Sequence, residues 1–295
     1  MESYFVRHTK EMAVVEEAMD YLWENDKIAI FFPDVSYDDP EEVEDKVSLN
    51  ESDYIYSGAE RALPVFKEMN ENGGYIWAEF RNRRDIKVGK IVPNSFEIYE
   101  TKWAPNQFPY ERTAKLKTLQ IDRKSVKIIA PSKAMSLRAA RPRRGTIMRW
   151  PSAKNRLESL VEGIPLEERW DSLFPAEQET VCSEYLRRPD VVECPVLERL
   201  LLPVGRTLKD IDIFGYAADK KMLFAQVTYG RKEEAGTKIQ DLKAYGDSNS
   251  HLVFFCDCEE IHVENGVLFI PWKRVEHWLK NDKTYLQKLF ENVKK

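Results

Sequence analysis

Gly205 to Gly230, GRTLKDIDIFGYAADKKMLFAQVTYG, reads as two strands joined by a short turn. In the first, Leu208, Ile211 and Ile213 are interleaved with Asp210 and Asp212, and the two-residue period of a strand predicts both carboxylates on one face. In the second, Met222 to Ala225 is a nearly continuous apolar run, as expected of a strand covered on both sides, and Gln226 and Thr228 follow at its end. Two acids and a Gln/Thr pair are thereby expected side by side at one sheet margin. Carboxylate and amide oxygens are donors that a hard divalent cation accepts. The bland alternative for Asp210 is a turn cap or a pairing with Arg206. Asp212 is flanked by Ile211 and Ile213, and a carboxylate on a buried strand needs a partner or a cation.

An acid on one strand, a tight turn, then an acid or Gln followed two positions later by Lys resembles the core signature of the PD-(D/E)xK restriction-endonuclease-like superfamily. The Gln version resembles its Mrr-like branch. The resemblance implies a Mg²⁺- or Mn²⁺-dependent phosphodiesterase in which Asp212 and Gln226 hold the metal. It also implies help from a Glu on the preceding helix, for which Glu179 in PAEQETVCSEYLR is the nearest match. One position departs from the pattern: Thr228 stands where the family has its catalytic lysine, and a hydroxyl cannot supply that charge. Lys232, Lys238 and Lys243 follow in RKEEAGTKIQDLKAY, a segment expected to form a helix beside the strands. Some members of the superfamily carry the lysine on that helix, and Lys238 is the choice here. The competing reading is a solvated lysine face.

The 295 residues are enough for about two domains, and 43% hydrophobic with 12% aromatic content fits a folded globular protein. No apolar run of membrane-spanning length occurs and MESYFVRHTK lacks a signal pattern, so the expectation is a cytoplasmic protein without a membrane partner. Cys182, Cys194, Cys256 and Cys258 are read as reduced thiols. The spacing of His251, Cys256, Cys258 and His262 matches no familiar zinc pattern.

The formal net charge of −5 argues against a nucleic-acid partner, but its distribution argues for one. Asp34 to Tyr54 holds nine acids and one lysine, whereas Arg123 to Arg156 holds eleven Lys/Arg and no acid. Within the basic stretch Arg138, Arg141, Arg143, Arg144, Arg149, Lys154 and Arg156 crowd around Pro142, Gly145 and Pro151, which puts them on loops. Arginine forks suit phosphate oxygens, so these residues are expected to bind nucleic acid, double-stranded DNA above all. The competing reading is a clamp onto the acidic loop.

The first half opens with a strand, YFVRH, and a helix in which Met12, Val15, Met19 and Leu22 recur at helical spacing. A buried strand from Lys27, a helix over 57–72 stopped by Gly73 and Gly74, and five short strands follow. This order, with GGYIWAEFRNRR and VGKIVPNS, resembles PUA/EVE-type domains, small barrels that in relatives hold modified bases or RNA. It implies a base pocket drawing on Trp23, Trp77 and Trp103, with Asp34 and Glu79 as candidates for edge hydrogen bonds. For Trp77, between Ile76 and Ala78, the alternative is a core position.

The fold expected is α+β, with an N-terminal small barrel (1–151), a linker (152–171) and a C-terminal α/β/α endonuclease-like domain (172–295). The function expected is a metal-dependent DNA endonuclease of restriction or phage-defence type, with homodimerisation expected because two strands must be cut. The alternatives are a degenerate nuclease fold that binds nucleic acid for a partner enzyme, and an assembly role for the acidic loop and arginine cluster.

Overall fold

The computed structural model describes residues 1–291 apart from 10–11, 33–44, 55–56, 104–111, 134, 143–144, 192–193 and 202–209. The chain forms two compact units, Met1–Leu166 with Phe290–Lys295, and Glu167–Leu289.

The first unit runs β1 (Ser3–His8), α1 (Glu16–Glu24), β2 (Lys27–Ile30), α2 (Ser57–Asn72), β3 (Gly74–Phe80), β4 (Ile86–Ile91), β5 (Glu97–Trp103), β6 (Arg112–Gln120), β7 (Lys127–Ile129), α3 (Met135–Ala140), β8 (Ile147–Arg149) and α4 (Lys154–Glu162). Helix α2 buries Ala59, Leu63, Phe66 and Met69, a stripe three to four residues apart. Its end is set by two glycines with different tasks. Gly73 has φ +65°, the left-handed turn that ends a helix, whereas a Cβ on Gly74 would stand 2.4 Å from the Tyr4 ring.

Strand β1 pairs parallel with β3, Tyr4 opposite Ile76 and Val6 opposite Ala78, and these four side chains face the main core. The alternate residues Phe5 and Trp77 project to the other face, where both rings meet Trp150 edge-on at 5.9 Å. The expected closed barrel does not form among the described residues. Two open sheets stand in its place, ordered β7-β4-β3-β1-β8 and β2-β6-β5, with isolated bridges from Val14 to Trp103 and from Ile91 to Ile121.

The stretch expected as a linker also departs from expectation. Ala153, Leu157 and Val161 recur every four residues and are buried, so the polar-looking segment from Lys154 is an amphipathic helix on β3 and β4.

The second unit runs α5 (Pro175–Leu186), β9 (Leu197–Leu200), β10 (Ile213–Ala217), β11 (Met222–Arg231), α6 (Gly236–Lys243), β12 (Ser250–Asp257), β13 (His262–Glu264), β14 (Val267–Pro271) and α7 (Trp272–Asn281), followed by α8 (Lys283–Glu291). Its sheet is ordered β13-β14-β12-β11-β10-β9. The parallel trio β11, β12 and β14 sits beside the antiparallel β10 and β9. Parallel strands need a crossover, and α6 supplies the one between β11 and β12. It covers the face that carries Phe214, Phe224, Phe254 and Cys256 through Ile239 and Leu242. Helices α5 and α7 pack on each other and on the strands, outside that cluster. Among the described residues no helix is long and apolar enough to cross a membrane.

Candidate active site

The site grows from the end of β11. Phe224, Gln226 and Thr228 alternate along that strand and share the face covered by α6. Lys238, one turn into α6, points back at it, and its Nζ lies 3.5 Å from Thr228 Oγ1. The Thr228 hydroxyl also accepts from the Gly230 N–H at 3.4 Å. An ammonium therefore stands at the position where the strand itself offers only a hydroxyl.

Gln226 is 6% exposed, and its Oε1 is buried with no hydrogen-bond partner among the described residues. An orphaned amide oxygen inside a protein carries its full desolvation cost, about 1–3 kcal/mol, unless a group beyond the described residues satisfies it. Asp212 stands just before β10. Its N–H donates to the Ala225 carbonyl at 3.0 Å, and its Oδ2 accepts from the Val227 N–H at 2.8 Å. The carboxylate is thus held at the strand edge, one residue from Gln226.

This arrangement corrects the expected geometry. The strand begins at Ile213, Asp210 and Asp212 both precede it, and Leu208 and Arg206 lie outside the described residues. Asp212 is set at the edge because its carboxylate accepts from the Val227 N–H just ahead of the point where β10 begins.

From α5, the buried Cys182 thiol is pushed well up by burial, and the Asp212 and Glu179 charges add to that shift. Both carboxylates therefore act on the same neighbourhood. The oxygens of Asp212 and Gln226 are each hard donors of the kind Mg²⁺ accepts, an ion that needs one or two protein ligands and keeps several waters. Among the described residues no three His, Cys, Asp or Glu side chains converge as a complete cage. His251 bonds Asp219 at the start of β12, at 2.8 Å, whereas His262 accepts from Lys232 Nζ at 3.0 Å.

The arginine cluster is largely spoken for inside its own unit. Arg141 pairs with Glu79 at 2.7 Å, and Arg149 Nε donates to Glu68 at 2.7 Å. Arg156 is 1% exposed and donates to Ser136 Oγ. Arg138 and Lys154 are half-buried and show no ion pair among the described residues; Arg143, Arg144 and Asp34 lie outside them. The clamp partners are Glu79 and Glu68. Of the acidic loop, Asp45 is taken by Arg112 at 2.9 Å, and residues 34–44 are outside the described set.

The three tryptophans do not line one pocket. Trp77 is 0% exposed, with its Nε1 on Glu79 at 3.1 Å, on the sheet face opposite the main core. Trp103 is buried in that core under the Arg112 guanidinium at 4.4 Å, and the half-buried Trp23 ring is covered by Lys87 Nζ at 4.4 Å. Burial decides the matter: rings already packed on protein atoms offer no face to a base.

Compared with protein-family models, curated proteins and solved structures, the chain matches none.

Proposed function

We propose that the second unit is a divalent-cation-dependent phosphodiesterase of the restriction-endonuclease-like kind that cuts double-stranded DNA. The observation that carries this reading is the orphaned Gln226 Oε1, one residue from the carboxylate of Asp212. The alternation of helix α5, strands β9 to β11, helix α6 and strand β12 supports it as well, since it is compatible with the α/β/α domain that the sequence resemblance implies.

Asp212 and Gln226 would hold Mg²⁺, which when bound would polarise a phosphoryl oxygen and lower the pKa of a coordinated water. The chain's own contribution is charge and position. Lys238 puts a cation beside Thr228, two residues beyond Gln226, where negative charge on the phosphoryl group would be stabilised. Asp212 keeps its oxygens at the strand edge through the Val227 N–H, so its aim does not depend on a flexible side chain.

Nicking of supercoiled plasmid with Mg²⁺ or Mn²⁺, abolished by Asp212→Ala, is the expected result. Thr228 favours a second reading, a fold that binds DNA without cutting it. Binding that persists in EDTA, with no cleavage under either metal, would establish that reading in place of the first. The first unit's share is DNA engagement or partner binding, without the pocket of three tryptophans.

A further inference from the structure

Strand β12 runs out at Cys256-Asp257-Cys258, and the chain turns there: the Cys258 N–H donates to the Cys256 carbonyl at 3.2 Å. A hydrogen bond between residues two apart closes a γ-turn. In an extended strand such residues stand about 6.6 Å apart, near the upper limit of about 6.8 Å between Cα atoms that a disulfide spans. The turn draws the two cysteines inside that limit. Both pack on the face covered by α6, in the cluster of Phe254 and Phe269.

The thiols also meet each other. Cys256 donates a hydrogen bond to Cys258 Sγ, which donates in turn to the Glu260 carbonyl at 3.7 Å. Their surroundings differ. Cys256 is 0% exposed, whereas Cys258 is half-buried and lines a cavity of about 1200 Å³ together with Lys232 and His262. Burial pushes both thiols up; at Cys258 the bond from Cys256 and the Lys232 charge pull the other way. The resting state is a pair of thiols, of which Cys258 is the one reached from the cavity.

We propose that Cys256 and Cys258 are a modification site, a dithiol that a peroxide closes to a reversible disulfide. The Cys258 thiolate attacks one peroxide oxygen, the O–O bond breaks, and the leaving hydroxide takes up the Cys258 proton to become water, leaving a sulfenic acid. Cys256 then attacks that sulfur. The S–S bond forms as the S–O bond breaks, and a second water leaves with the Cys256 proton. One peroxide is reduced to two waters while the pair of thiols is oxidised and loses two hydrogens. A bridge at a cavity wall is of the labile kind that a small dithiol reopens.

Its position gives the bridge a consequence. Val227 pairs with Phe255 and Arg231 with Asp257, so Thr228, Tyr229 and Gly230 of β11 stand opposite Cys256 alone. Thr228, the hydroxyl that Lys238 approaches, thus belongs to a bulge whose partner is the bridged cysteine. Closing the bridge pulls on Cys256 and shifts that bulge. This consequence rests on the phosphodiesterase reading above; the disulfide itself does not.

The test uses the full chain treated with hydrogen peroxide, with and without later dithiothreitol. Free thiols are alkylated with iodoacetamide, and the tryptic peptide 244–273, which holds Cys256 and Cys258 and neither other cysteine, is weighed by mass spectrometry. The expected product is an unalkylated peptide two hydrogens lighter, which returns to double alkylation after dithiothreitol. Plasmid nicking with Mg²⁺ should fall about tenfold or more on oxidation and recover with the dithiol, since a misplacement of about 1 Å can cost 10²-fold. Cys258→Ser should form no bridge and keep its nicking under peroxide, which assigns the loss to the pair and not to oxidised methionines. Double alkylation persisting after peroxide, or cysteines carried on to sulfinic or sulfonic acids, overturns the proposal. A bridge that leaves wild-type nicking unchanged overturns its effect on the site. A bridge in a protein that never nicks upholds the disulfide and overturns the phosphodiesterase reading.

Discussion

Lys238 Nζ stands 3.5 Å from the hydroxyl of Thr228, so a charge that the strand lacks is delivered to it from the neighbouring helix. The consequence is an exchange of position. If the ammonium serves a phosphoryl group, it should matter where the nitrogen is and not which residue bears it. Lys238→Ala is expected to lower the plasmid-nicking rate by about 10²-fold or more, the scale of losing one preorganised charge at a reacting centre. Thr228→Lys added to that variant should recover much of the loss. DNA affinity in EDTA should hardly change. Full nicking by Lys238→Ala would remove the lysine from the mechanism.

Gln226 gives a prediction that needs no substrate. Its Oε1, buried without a hydrogen-bond partner among the described residues, makes the protein less stable than it need be. Gln226→Met, apolar and of similar length, should raise stability in EDTA by about 1–2 kcal/mol, read from denaturant midpoints. Wild type should gain thermal stability as Mg²⁺ is added, and the variant should not. A variant that is less stable in EDTA, or that still responds to Mg²⁺, would show that the amide has another purpose.

His8 predicts acid sensitivity of the first unit. Its ring is 1% exposed and stacked on Phe80 at 4.2 Å; Nδ1 donates to the Glu79 carbonyl and Nε2 accepts from the Ala29 N–H. Burial pulls its pKa down from 6.5 to about 4; the Glu79 bond opposes this and the Arg81 charge adds to it. The unfolded chain therefore takes up the proton first. Stability is fully present above pH about 6.5 and falls as pH drops toward 4, by about 3 kcal/mol in all. His8→Gln should flatten that slope in a Tm-against-pH series, while an unchanged slope would assign the acid loss to other groups.

Arg141 and Arg149 should be dispensable for DNA. Their charges are answered by Glu79 and Glu68 within hydrogen-bond distance. Arg141→Ala and Arg149→Ala are each expected to leave duplex affinity within about twofold at moderate salt, since a neutralised arginine releases few counterions. A tenfold loss in either would return the cluster to the binding surface.

Gly215 should tolerate no side chain. A Cβ there would lie 2.2 Å from the Arg199 carbonyl oxygen and 2.7 Å from Leu197 Cδ1, on the antiparallel neighbour strand β9. Gly215→Ala is expected to destabilise the second unit by about 1–3 kcal/mol, the cost of forcing atoms into packed space. Chemical denaturation followed by far-UV circular dichroism would measure it, and a neutral result would mean β9 can move aside.

Much of the local structure was legible because it depends on neighbours in sequence. Helix α2 occupies 57–72 as its spacing and paired glycines indicate, and the strands around Met222–Ala225 and His251–Cys256 follow from apolar runs. Helix α4 was missed because its four charged residues outnumber its two buried apolar ones, Leu157 and Val161. Strand β9 carries too little pattern in four residues to stand out from its flanks.

By itself the order of residues determined an α+β chain, the hairpin with its Asp, Gln and Thr, and a lysine one helix away. Those features arise from period, turn chemistry and spacing, which act over a few residues. Only the tertiary structure decided that the first sheets stay open, that Arg141 and Arg149 are spent on Glu79 and Glu68, and that Trp77 is sealed in. It also decided that Lys238 comes to Thr228. Partners 62 and 81 residues apart for the arginines, and the facing of α6 on β11 for the lysine, are settled by which surfaces pack together, and no local pattern carries that information.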